Sequence, residues 1–235
     1  MDERSRSGLA ARAWMLLSAA LLLSACAAAP THAEHERLLR TQVLALLQGL
    51  NADLLGHDSA TLTLERWCAA HRLAAPARIV AQRVHGEEKP LPAALRERLG
   101  VGEAEPIAYR RVRLTCGAHV LSEADNWYVP ARLTTEMNRR LDTSDEPFGK
   151  VVRALGFRRR TLAAQLLWSP LPAGWEMAPQ ADSDTAPLRI PHALLRHEAV
   201  LYDAAGRPFS AVVETYTNQV LDFGPWAERL AAADR

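Results

Sequence analysis

Over residues 35–55 apolar side chains recur every three or four positions, at Leu38, Leu39, Val43, Leu46, Leu47, Leu50 and Leu54. That spacing puts them on one face and predicts an amphipathic helix. His57-Asp58-Ser59-Ala60-Thr61 ends the pattern with residues that favour turns and helix caps, and a shorter helix is predicted over 62–71. Residues 77–84, rich in Val, Ile and Ala, read as a strand, and 90–99 as a short helix behind a proline. The clearest β pattern is central: 107–115 and 118–129 are extended runs on either side of Cys116-Gly117, which predicts a hairpin. The pattern returns to helix over 130–141 and to a helical turn over 150–155. A strand is predicted over 157–168, weakened by Ala163 and Ala164. Residues 169–187 carry repeated prolines among small polar residues and read as a loop or lid. A second hairpin pairs 194–202 with 208–216 across Asp203-Ala204-Ala205-Gly206. Strand pairs interleaved with short helices predict an α+β fold built around an antiparallel β-sheet.

The first residues follow a different rule. Arg4, Arg6 and Arg12 precede an uncharged run over 13–25, too short to span a bilayer comfortably as a helix, which needs about 20 apolar residues. The run ends in Leu23-Ser24-Ala25-Cys26, which resembles the bacterial lipobox, in which small residues give a signal peptidase access to the bond before the cysteine. The expected organisation is therefore a signal peptide over 1–26, a tether over 27–34 and a single domain over 35–235. Lipid on Cys26 would anchor the mature chain to a membrane, facing the periplasm of the bacterial cell envelope. Cys68 and Cys116 remain in the body. An exported chain permits a disulfide between them, and two buried thiols fit equally well.

Composition narrows the partners. The 28 basic and 27 acidic side chains leave a formal charge of +1, without the basic excess of a nucleic-acid binder. Arg158-Arg159-Arg160 is the one short basic cluster, and it reads as a solvated strand end. No phosphate-cradling glycine loop, Cys-x-x-Cys, His-Glu-x-x-His or Gly-x-Ser-x-Gly occurs, and the eight histidines are scattered. Neither a metal nor a cofactor is expected.

What remains is charge inside strand patterns. Of Arg110, Arg111 and Arg113, the second and third share a face and Arg110 points to the other. An arginine on the inner face needs an anion, and its planar fork suits a carboxylate. Glu214 follows the run Ser210-Ala211-Val212-Val213 and also needs a partner, either a structural arginine or a substrate hydroxyl.

From about Asp58 onward the chain resembles chorismate pyruvate-lyase of ubiquinone biosynthesis and the wider chorismate-lyase-like superfamily, which includes the ligand-sensing domains of GntR-type regulators. Four segments carry the resemblance: Asp58-Ser59-Ala60-Thr61, Tyr109-Arg110-Arg111-Val112, Pro147-Phe148-Gly149 and Val212-Val213-Glu214. It implies a ligand carboxylate bound by the Ala60 amide and by an arginine of the second segment. Ungapped counting back from Val129-Pro130 puts that arginine at Arg111; a one-residue change in the turn puts it at Arg110. Phe148 would touch the ligand's hydroxyl end through backbone, and Glu214 would stand beside the ring hydroxyl. Asn126 falls where the lyase has a second active-site arginine, so a fixed positive charge is missing there.

The activity so implied is elimination of pyruvate from chorismate to leave 4-hydroxybenzoate, with Arg111 holding the ring carboxylate and Glu214 as the acid. Chorismate is cytosolic, and this chain is expected to be exported. The alternative is a non-catalytic envelope lipoprotein that binds a small aromatic carboxylate, for which the loss at Asn126 is no obstacle. A structural lipoprotein with a vestigial pocket is the third reading.

Overall fold

The computed structural model describes residues 31–86, 88–177 and 186–230. The signal segment and Cys26 lie outside the described residues. The first helix, α1 (His32–Gly56), starts earlier than the apolar pattern predicts because Thr31 and Glu34 form a reciprocal capping box. Residues 32–34, read from composition as tether, are its first turn. Its buried stripe of Leu39, Val43, Leu47, Leu50 and Leu54 lies along the sheet. Each such side chain contributes roughly 1.5–3 kcal/mol when fully buried.

The second helix, α2 (Ala60–His71), is capped by Ser59, whose Oγ accepts from the Leu62 amide at 3.3 Å. There follow β1 (Ile79–Val84), α3 (Ala93–Leu99), β2 (Ala108–Cys116) and β3 (His119–Tyr128). After a 3₁₀ turn at Pro130–Arg132 come α4 (Thr135–Thr143) and the single turn α5 (Phe148–Val151). The chain ends its regular structure with β4 (Arg158–Leu166), β5 (Ala193–Tyr202) and β6 (Pro208–Thr217). The predicted helix over 130–141 is thus split. Pro130 starts a tight turn, and Thr134 begins a new helix by accepting from the Met137 amide.

The six strands form one sheet in the order β1-β2-β3-β6-β5-β4, with antiparallel neighbours throughout. Both predicted hairpins are present, and β3 pairs with β6 to join them into one antiparallel sheet. In the first hairpin Gly117 adopts φ +58°, a left-handed turn conformation that glycine enters without strain. Helices α1 and α2 cover one face of the sheet, over Val112, Ala124, Ala199, Val212 and Tyr216. On the opposite face α3 packs Leu95 and Leu99 against Trp127, Val200 and Ala211.

Cys68 in α2 and Cys116 at the end of β2 form a disulfide, which resolves the choice left open by the sequence. The proline-rich segment is fastened to the first part of α1. Arg40 donates to the carbonyls of Pro170 at 3.0 Å and Ala186 at 2.8 Å, and Glu36 accepts from the Leu188 amide at 2.9 Å. Arg40 stands roughly 24 Å along the helix from its C-terminal end, taking about 1.5 Å per residue. Residues 178–185 lie outside the described residues.

Candidate functional site

A cavity opens at the C-terminal end of α1, between the sheet and the first turn of α2. It holds about 540 Å³ of atom-free space, its mouth included. The floor is apolar, made by Val112 and Leu114 of β2, Ala124 of β3, Val212 of β6 and Leu201 of β5. Phe148, Gly149 and Phe157 form one rim, and Asp58, Ser59, Ala60 and Thr61 at the start of α2 form another. The α5 turn sits close against that helix. A methyl group on Gly149 would stand 3.2 Å from Ser59 Oγ, a tight contact, and 3.6 Å from Thr61 Oγ1, an ordinary one.

Beyond the polar rim of Asp58, Ser59 and Thr61, four further polar side chains line this space: Arg110, Asn126, Arg159 and Glu214. Arg110, Asn126 and Val212 occupy one row across β2, β3 and β6, while Val112, Ala124 and Glu214 occupy another two residues along. Side chains two apart share a face, so Arg110 and Glu214 point to the same side of the sheet. Arg111 points to the other, opposite Asp125, and does not line the cavity. The arginine favoured by ungapped counting is therefore on the wrong face for the cavity, and Arg110 takes its place. The physical reason is alternation along β2, where Arg110 falls in step with the apolar Val112 and Leu114 while Arg111 falls in step with Arg113.

Arg110 donates through Nη1 to the Glu146 carbonyl and through Nη2 to the Ser144 carbonyl, both at 3.1 Å. Burial, aided by the charge of Arg83, pushes its guanidinium down to about 10. Asn126 Oδ1 accepts from Ser210 Oγ at 2.5 Å. Glu214 is 5% exposed, and its Oε2 accepts from Arg159 Nη2 at 2.6 Å and from Tyr216 Oη at 3.1 Å. Of the two partners open to Glu214, the structure supplies the arginine. That is the geometry of a buried ion pair.

Arg159 reaches diagonally from β4 across β5 to meet Glu214. Burial opposes its charge, but Glu214 and then Tyr216 outweigh it and hold the guanidinium above its usual range. Burial first, and then Glu214, push the Tyr216 hydroxyl well above its ordinary value. His197 faces Glu214 across the β5–β6 ladder, and Nε2 lies 2.9 Å from Asn51 Oδ1. Burial and the charge of Arg159 push it down to about 4, so it is neutral near pH 7 and donates to Asn51. Among the described residues no group of three or more His, Cys, Asp or Glu is placed to hold a metal ion.

No family model matches the chain. It is 59% identical over 188 residues to the uncharacterized protein y4mC of Sinorhizobium fredii, covering 79% of each chain. The chain belongs to the y4mC family. Among solved structures, the effector domain of PhnF from Mycobacterium smegmatis is similar in fold, with a TM-score of 0.44 and 15% identity over 74% of this chain and 91% of that one. The possible transcriptional regulator YydK from Bacillus subtilis gives a TM-score of 0.37 at 17% identity over 63% of this chain, which spans about 62% of that chain. Neither likeness places a ligand in the cavity.

In this cavity Ala60, Arg110, Asn126, Phe148 and Glu214 come together; Arg111 does not line it. The residue that sequence reasoning missed is Arg159, assigned to a solvated basic cluster. The signal was available. In a strand the middle of three consecutive arginines faces away from its neighbours, and Arg158 and Arg160 are exposed while Arg159 is sealed. The proline-rich segment was a candidate lid, yet none of its described residues lines the cavity.

Proposed function

We propose that this cavity binds a small aromatic carboxylate without turning it over, and that the chain presents it as an envelope lipoprotein anchored through Cys26. The observation that supports binding over elimination is the Arg159–Glu214 pair. An apolar cavity with buried guanidinium groups suits a flat anion, while its carboxylate is engaged at 2.6 Å instead of facing a leaving group. The chain from Cys26 to Arg235, titrated calorimetrically with 4-hydroxybenzoate and with chorismate, is expected to show saturable binding and no release of pyruvate. Pyruvate formation that scales with protein and disappears in Glu214→Gln would overturn the binding reading and restore the lyase.

The address belongs to the same proposal. Its support is the ordered basic flank, apolar run and Leu23-Ser24-Ala25-Cys26, together with the Cys68–Cys116 disulfide, a bond that persists in oxidising compartments. Bacterial cells fed labelled palmitate should incorporate label into the wild-type chain and not into Cys26→Ala. Equal labelling of both, or of neither, rules the anchor out.

A further inference from the structure

Arg159 keeps a buried donor that the ion pair does not use. Its side chain is only 4% exposed, Nη2 is engaged by Glu214, and the buried Nε has no acceptor among the described residues. Arg110 carries the same remainder at the far side of the cavity. Backbone carbonyls take Nη1 and Nη2, and its buried Nε is also left without an acceptor. Buried N–H groups are rarely left so, because each gives up its water on folding.

The two arginines enter from β2 and β4, four strand positions apart, or ~19 Å between backbones on a flat sheet at ~4.8 Å per strand. Each side chain reaches inward, and the space between them is walled by Val112, Ala124, Val212, Leu201 and Phe157. One ring with an acceptor at either end matches that layout.

We infer that Arg159 is a ligand-binding, specificity-determining residue, whose Nε edge takes a second acceptor group across the ring from the carboxylate at Arg110. This rests on the binding function proposed above and adds the class of ligand: an aromatic acid with acceptors at both ends. The planar guanidinium can serve two acceptors at once, keeping Nη2 on Glu214 while Nε turns to the ligand. Asp58 Oδ1 accepts from the Arg159 amide at 2.8 Å, which fixes the start of β4 against the first turn of α2 and sets the height of the side chain in the wall. Arg159 thereby returns, from β4, the positive charge that Asn126 does not supply from β3.

The probes are benzoate and benzene-1,4-dicarboxylate, which differ by a second carboxylate, an acceptor that also carries a charge; Arg159→Lys, which keeps the cation, separates the two contributions. Wild-type protein is expected to bind the dicarboxylate at least about tenfold more tightly than benzoate. Arg159→Lys keeps a cation for Glu214 but has no Nε donor, so it should lose that gain while benzoate affinity changes less than about threefold. Arg159→Gln/Glu214→Gln removes both charges together and guards against misfolding of a half-broken pair; it should lose the gain as well. Equal affinity of wild type for the two probes, or a gain that survives in both variants, overturns the role of Arg159 and leaves the binding function standing. Failure of wild type to bind either probe overturns the role of Arg159, and failure to bind 4-hydroxybenzoate as well overturns both.

Discussion

Glu214→Ala is expected to lower the stability of the domain by about 3–5 kcal/mol, the usual cost of leaving one member of a buried ion pair unpartnered. Arg159 would keep its charge in a wall where 4% of the side chain is exposed, with Tyr216 and Asp58 the remaining groups that favour that charge. Replacing both members by apolar residues of similar volume, as in Arg159→Met/Glu214→Leu, should come within about 1 kcal/mol of wild type or exceed it, because both desolvation costs vanish with the pair. Urea unfolding under oxidising conditions measures both. A single variant as stable as wild type would mean that water reaches Arg159 readily, and the cavity wall would then have to be regarded as open. The comparison also separates stability from binding: if the pair exists for the ligand, the apolar double variant folds and fails to bind.

Periodicity carried most of the architecture because the sheet and the long helix each bury one face. The stripe from Leu39 to Leu54 can be satisfied only as a helix on an apolar surface, and the two hairpins announce themselves through alternation around Gly117 and Gly206. Alternation also says that Arg110 and Arg111 diverge. It also says which one is inside, because Arg110 shares its face with Val112 and Leu114 while Arg111 shares its face with Arg113. The Arg159–Glu214 contact joins residues 55 positions apart. Nothing local selects Arg159 as the partner of Glu214; the choice is made by the sheet order β6-β5-β4, which brings β4 within reach. Burial of a charge is a property of the assembled wall, and a basic triplet looks solvated until that wall is built.

The other large effect is expected from the disulfide. Cys68 and Cys116 are both fully buried, and their bond closes a loop across a sequence separation of 48. A loop of that length restricts the unfolded chain enough to stabilise the fold by about 4 kcal/mol. Cys68→Ala/Cys116→Ala should therefore unfold at a urea midpoint lower by about 1.5 M or more, taking a slope of roughly 2–3 kcal/mol per molar for a domain of this size. Reducing agent should move wild type by a similar amount and leave the double variant where it is. The bond ties the end of α2 to the end of β2, so its loss acts on the cavity from a distance: the first turn of α2 supplies one rim and β2 supplies Arg110. Ligand affinity in the reduced protein, measured well below the unfolding midpoint, should fall if α2 needs that tether to hold its first turn against the sheet. Unchanged affinity together with lowered stability would mean that the Ser59 cap and the Asp58–Arg159 bond alone keep the rim in place.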